Sequence, residues 1–249
     1  AITGVDLVEW QLRVAGGEQE TVDNEKSLFP ETMEELGTYD IVIFGRGMEY
    51  YLDDERIGML KRFLADYGGG LLLSRGKPYE KTMPRLAGIE PVEWGDPIDA
   101  EYRWKPTYEG AKSGLFGDML PGRESAVWDK LPLLRKAWRC PKTRSFAEVF
   151  VKGKTETGLT VEFPVLISRK YGKGVVLALN TDGLWKWDFF PAEGAAEDFY
   201  REFWVQLIHW LVRYSDFRPG SEYALRLSRT VTPVDGSVLA FVASRGAGA

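Results

Sequence analysis

Few side chains in this sequence could carry covalent chemistry. There is one cysteine, Cys140, and one histidine, His209. A thiol needs a neighbouring base or a field that lowers its pKa before it becomes a nucleophile. The segment Arg139-Cys140-Pro141 offers positive charge but no evident base. His209 follows Leu207 by two residues, about 200° around a helix, which turns it off the buried stripe toward solvent. One cysteine and one histidine make no zinc set. Asp53-Asp54 or Glu193 could meet Mg²⁺ or Ca²⁺, yet acidic residues at a helix start are explained by the helix dipole. No metal and no cofactor are expected.

Glycine-rich stretches point away from nucleotides. Gly45-Arg46-Gly47 follows an apolar run, but the third glycine of a dinucleotide fingerprint is missing and Asp53, Asp54 and Glu55 would repel a pyrophosphate. Gly68-Gly69-Gly70 lies after a helix and before a strand, the wrong side for a phosphate cradle. The most unusual hexamer is Trp185-Lys186-Trp187-Asp188-Phe189-Phe190. It reads either as a hydrophobic plug or as an aromatic platform for a sugar or peptide, with Asp182 beside it to accept hydrogen bonds or to close a turn.

These residues need a scaffold. With 249 residues, 44% hydrophobic and 28% charged, the chain is long enough for one large domain or a domain with an appendage. Nine Trp, eleven Tyr and thirteen Phe promise a tightly filled core. A net charge of −5 without a basic stripe argues against nucleic-acid binding. No apolar stretch approaches the roughly 20 residues of a membrane helix, so the chain itself should not insert. The start at Ala1-Ile2, without an initiating Met or a signal peptide, reads as a fragment of a longer protein, opening with a strand-like stretch from Val5 to Val14.

Periodicity supplies the elements. Ile41 to Phe44 and Leu71 to Leu73 are short buried strands, and between them Ile57, Leu60, Phe63, Leu64 and Tyr67 recur at helical spacing. Strand, helix and strand within about 35 residues form a βαβ unit with parallel strands. Residues 77–160 read as a long insertion packed over one sheet end, with short helical pieces around Pro132 between Trp128 and Trp138. Phe163 to Ser168 and Val175 to Asn180 make a hairpin about Tyr171-Gly172-Lys173-Gly174. A helix over about Ala195 to Tyr214 buries Phe199, Phe203, Leu207, Trp210, Leu211 and Tyr214, and Trp204 is expected in the core. After Pro219-Gly220, residues 216–249 read as a β extension, with one strand through Tyr223, Leu225 and Leu227 and another from Ser237 to Ala243. It is either the start of a truncated β-domain or a ribbon on the main sheet.

Two stretches carry a family resemblance. One is Tyr39-Asp40-Ile41-Val42-Ile43-Phe44-Gly45 with Tyr67-Gly68-Gly69-Gly70-Leu71-Leu72-Leu73-Ser74. The other runs from Pro164 through Tyr171-Gly172-Lys173-Gly174 to Thr181-Asp182, then through Trp185-Lys186-Trp187 to Phe203-Trp204 and Leu211. Over roughly residues 35–215 the chain resembles the class I glutamine amidotransferase-like domains of large, membrane-anchored bacterial proteins of unknown function. The resemblance implies an α/β, flavodoxin-like three-layer sandwich with a mostly parallel central sheet. It also places Ser74 where the family's nucleophilic cysteine stands, with Arg75 and Gly76 completing the elbow and Leu72 replacing a glycine. Asp182 falls where the family's histidine stands, and Gly45-Arg46-Gly47 in the oxyanion loop. These positions are vestigial, because Ser74 has no base to take its proton.

The expectation is therefore a non-catalytic interaction or ligand-binding domain of a larger membrane-associated protein. Its partners would be other domains of that protein or a separate protein. Ligands of such sheets sit outside the carboxyl ends of the strands, where Arg46, Glu49, Ser74, Arg75, Asp182, Trp185 and Trp187 should gather. Two alternatives stay open: a hydrolase or amidotransferase with an atypical site around Ser74 and Asp182, and carbohydrate binding through the Trp185–Trp187 loop.

Overall fold

The computed structural model describes residues 29–116, 125–156, 158, 160–189, 199–213, 223–227 and 240–244. The strand-like Val5–Val14 stretch, Glu193, Tyr214 and the turn at Pro219-Gly220 lie outside them. A one-turn helix α1 (Met33–Leu36) precedes β1 (Ile41–Phe44). Helix α2 (Asp54–Ala65) follows and leads to β2 (Gly70–Leu73). Asp53 caps α2 by accepting the Arg56 N–H at 2.8 Å, and Asp54 and Glu55 stand at the positive end of its dipole. β1 and β2 are parallel, with Ile41 opposite Gly70 and Phe44 opposite Leu73, so the βαβ unit is present.

Residues 77–160, expected as an insertion over one end of the sheet, supply strands to the sheet itself. They contain β3 (Val92–Glu93), β4 (Pro97–Pro106), the short helices α3 (Tyr108–Lys112) and α4 (Ser125–Lys130), β5 (Leu134–Trp138), β6 (Lys142–Thr143) and β7 (Ala147–Thr155). The helical reading holds up to Lys130 and fails beyond Pro132, where β5 begins. Tyr102, Leu134 and Ala137 face the core, a tertiary burial that local periodicity does not reveal. Next come β8 (Glu162–Tyr171) and β9 (Gly174–Leu179), paired as the expected antiparallel hairpin. Helix α5 (Phe199–Val212) is followed by β10 (Tyr223–Leu227) and β11 (Ala240–Ser244), which form a separate two-stranded antiparallel sheet.

The main sheet has seven strands in the order β1-β2-β9-β8-β7-β4-β5. The fold is α/β, but the expectation of a mostly parallel sheet is corrected: β1-β2 and β2-β9 are parallel, and the other four pairings are antiparallel. The reason lies in the connections. Only the first crossover carries a full-length helix between neighbouring strands, whereas β8 and β9 are joined by a tight turn, which forces antiparallel pairing.

Two cores lie on the two faces of this sheet. Leu71, Leu73, Val176 and Ala178 pack with Ile57, Leu60, Phe63 and Leu64 of α2. Leu72, Val175, Leu177 and Leu179 pack with Phe199, Phe203, Leu207, Trp210 and Leu211 of α5. β2 and β9 are thus buried on both faces, which is why they read as unbroken apolar runs. Each fully buried Leu, Phe or Val side chain here stabilises by about 1.5–3 kcal/mol. Trp204 sits at the edge of this core, only partly buried, and His209 is exposed.

Candidate functional site: two arginines on one aspartate

The site forms where the chain leaves β1, β2 and β9, at one end of the parallel half of the sheet. β2 and β9 are neighbours, with Leu73 opposite Ala178, so Ser74-Arg75-Gly76 and Asn180-Thr181-Asp182 emerge side by side. The loop after β1 brings Arg46. β5, the far edge strand, folds back so that its Lys136 makes an isolated antiparallel bridge with Asp182, beyond the end of β9. The five strands β9-β8-β7-β4-β5 thereby curl toward closure.

Asn180 and Thr181 hold that closure and are buried. Asn180 Oδ1 accepts the Trp138 N–H at 2.9 Å, and its Nδ2 donates to the carbonyls of Trp138 at 2.7 Å and Pro164 at 2.8 Å. Nδ2 also lies 3.4 Å from Cys140 Sγ. The Thr181 hydroxyl bonds the Tyr102 hydroxyl, which donates to the Lys136 carbonyl at 3.0 Å. Burial pushes the Tyr102 phenol well above its ordinary pKa, keeping it neutral.

Asp182 is the centre of the site. Its Oδ2 accepts from Arg46 Nη2 at 3.0 Å and from Arg75 Nη2 at 3.4 Å. Its Oδ1 accepts from Arg75 Nε at 3.2 Å and from the Gly183 N–H at 2.9 Å. The aspartate side chain keeps 14% of its exposure, against 44% for Arg46 and 34% for Arg75. A carboxylate this shielded is held by the guanidinium pair that neutralises it. The Arg46 guanidinium also lies over the Trp138 ring, 5.1 Å from its centroid. Beneath that ring, Gly76 has φ +76°, and a Cβ there would meet Trp138 Cζ3 at 2.1 Å. Glycine at 76 thus serves both the left-handed turn and the close approach.

The other expected site residues divide. Ser74 is at the strand end as foreseen, but its hydroxyl donates to the Phe44 carbonyl at 3.0 Å and ties β2 to β1. Glu49 turns to the neighbouring loop, where its Oε1 accepts the Glu80 N–H at 2.9 Å and, more weakly, the Lys81 N–H at 3.4 Å. Partial burial works to raise the Glu49 pKa, but the backbone N–H groups of Glu80, Glu49 itself and Lys81 outweigh it and leave the carboxyl below its usual range. Trp187 is a core residue, edge-on to Trp104 and Phe199, with its indole N–H donating to the Pro132 carbonyl. Trp185 is 52% exposed and edge-on to the exposed Phe189. The hexamer is therefore plug and platform at once, one tryptophan to each.

Sequence reasoning missed Asn180, Thr181, Tyr102 and Trp138. The available signal was a polar pair, Asn180-Thr181, directly after six fully buried residues, where burial must continue and partners must exist. Nothing local indicates that those partners lie on β5. Cys140 belongs to the structural clamp, and burial pushes its thiol up to about 12, which removes it as a nucleophile. Among the described residues no group of three or more His, Cys, Asp or Glu could hold a metal ion.

No family model matches the chain, and no curated protein does. Solved structures similar to it include the cytoplasmic protein STM3548 from Salmonella typhimurium, at 18% identity and TM-score 0.48 over 74% of this chain and 76% of that one. A second cytoplasmic protein from that organism, STM1381, gives 18% identity and TM-score 0.47 over the same shares. Gan42B, a GH42 beta-galactosidase from G. stearothermophilus, gives 17% identity and TM-score 0.43 over 77% of this chain and 24% of that one. Likenesses this distant identify no family. The amidotransferase-like assignment is corrected: the similar structures are these two Salmonella proteins and a beta-galactosidase, not glutamine amidotransferase-like folds. No helix among the described residues is long and apolar enough to cross a membrane.

Proposed function

We propose that this domain is a non-catalytic binding module whose site is the crevice around Arg46, Arg75 and Asp182. The observation that carries the reading is the convergence of two partly exposed guanidinium groups on one shielded carboxylate, beside a serine whose hydroxyl is already committed to Phe44. A fixed, charged, solvent-facing pair suits recognition, whereas nucleophilic catalysis needs a base within reach of Ser74. The parallel half, β1-β2-β9 with helices on both faces, is the part we read as flavodoxin-like, and sheets of that kind bind ligands outside their carboxyl ends. The partners in this reading are other domains of the same longer protein, or a separate protein.

The test is a ligand screen by saturation-transfer NMR on the wild type and on an Arg46→Ala/Arg75→Ala double variant. At least one ligand should bind the wild type and be lost in the variant. Ligands that bind both proteins equally would move the site elsewhere. Ester or amide hydrolysis abolished by Ser74→Ala would overturn the non-catalytic half of the proposal.

A further inference from the structure

The hydrogen-bond inventory of the arginine pair says more about what it binds. Asp182 is saturated: each carboxylate oxygen already accepts two hydrogen bonds, from Arg46, Arg75 and the Gly183 N–H. It has little left to offer a ligand. The arginines are the reverse case. A guanidinium has five N–H donors. Arg46 directs only Nη2 to Asp182, and Arg75 directs Nε and Nη2. Among the described residues, Arg46 Nη1 and Nε and Arg75 Nη1 have no hydrogen-bond partner, and both side chains remain over one third exposed. Two positive charges against one negative leave the pair with a net charge of +1.

Their directions are also fixed. Arg46 is held between Asp182 and the face of Trp138, and Trp138 is held by the Asn180 clamp and packed on Gly76. Arg75 is held at two of its nitrogens by Asp182. Ordering a free arginine side chain costs conformational entropy when a ligand arrives, and here the fold has already ordered both. Pre-oriented guanidinium edges with free donors match the geometry of a carboxylate or phosphate.

We infer that the Arg46–Arg75 pair is an oxyanion-binding site, taking the carboxylate or phosphate group of a small ligand, with Asp182 as the positioning residue that orients the two arginines. The inference rests on the crevice being a binding site and names the chemistry that the crevice recognises.

The experiment follows the side-chain Nε–H signals of arginine by ¹H–¹⁵N NMR while sodium acetate, inorganic phosphate, glucuronate and glucose are titrated at constant ionic strength. The expected result is a saturable shift of the Arg75 Nε–H with the anions and none with glucose, lost in Arg46→Gln. Acetate against phosphate separates the two oxyanion sources. Asp182→Asn tests the positioning role: it releases the two arginines, so the Arg75 Nε–H signal of the ligand-free protein moves toward that of a solvated arginine while the backbone spectrum stays folded. The inference is overturned if no anion gives a saturable shift, if the shift survives in Arg46→Gln, or if Asp182→Asn leaves the Arg75 Nε–H signal unmoved. A neutral ligand that binds the wild type and is lost in the double arginine variant would leave the binding module standing and sink the oxyanion alone.

Discussion

Replacing Asn180 by alanine removes the clamp that closes β5 onto the end of β9. The side chain is fully buried and serves three backbone groups: the Trp138 N–H and the carbonyls of Trp138 and Pro164. Alanine leaves the Trp138 N–H without its acceptor, at about 1–3 kcal/mol for an unsatisfied buried donor. The two carbonyls cost less, because the Trp138 carbonyl keeps a weak contact from Cys140 Sγ at 3.6 Å. The void left by the carboxamide adds to this, for a total of about 3–5 kcal/mol. In a domain of this size that is a fall in Tm of roughly 6–20 °C. Urea unfolding at 25 °C, followed by tryptophan fluorescence, measures it through the shift in midpoint at unchanged m. Asn180→Asp should be no better: it keeps the acceptor for Trp138 but loses both donors and places a charge where there is no solvent. Should both variants lose less than about 1 kcal/mol, the clamp does not hold the closure and the argument is refuted.

Gly76→Ala should destabilise by roughly 1–3 kcal/mol and alter the near-ultraviolet circular dichroism, because a left-handed alanine is strained and its Cβ displaces Trp138; an unchanged spectrum with unchanged stability would contradict the packing. Glu90 provides a pH test. Burial raises its pKa above the ordinary 4.5, despite hydrogen bonds from Trp94 and Tyr79 that act the other way. From 4.5 up to that raised value the native state binds more protons than the unfolded chain, so this group's contribution falls as pH rises through the window. Glu90→Gln should remove that slope from urea midpoints measured between about pH 4 and pH 8, and an unaltered profile would show that Glu90 does not titrate as its burial requires.

The parallel half of the fold was legible because its signals are local. An unbroken apolar strand, a capped amphipathic helix and a second apolar strand can only be a βαβ unit, and residues 41–73 say so unaided. The hairpin at 162–179 is equally local. β4, β5 and β7 were hidden because their burial alternates imperfectly and because their partners are distant in sequence: Tyr102 faces Thr155, and Trp104 faces Gly153. The candidate site was half legible. Arg46, Arg75 and Asp182 follow strand ends and could be placed together. Trp138 and Asn180, which fix their geometry, belong to contacts about 40 residues apart along the chain. Ser74 and Trp187 show the opposite failing: each has a residue type suited to chemistry or recognition and spends it on holding the fold.

The order of strands in the main sheet also bears on how the molecule is made. β2 pairs directly with β9, so Gly70 must find Val175 across roughly a hundred intervening residues, a loop whose closure is entropically costly until its contents are ordered. Strands β4, β5, β7 and β8, neighbours in the order β8-β7-β4-β5, lie within that loop, and ordering them shortens it. Arg75 and Asp182 then come together only when β2 and β9 are zipped, and Trp138 joins them only when β5 has swung back. High contact order makes such a chain a slow folder. It also makes the Arg75–Asp182 contact a reporter of long-range assembly, one that needs β2 and β9 side by side.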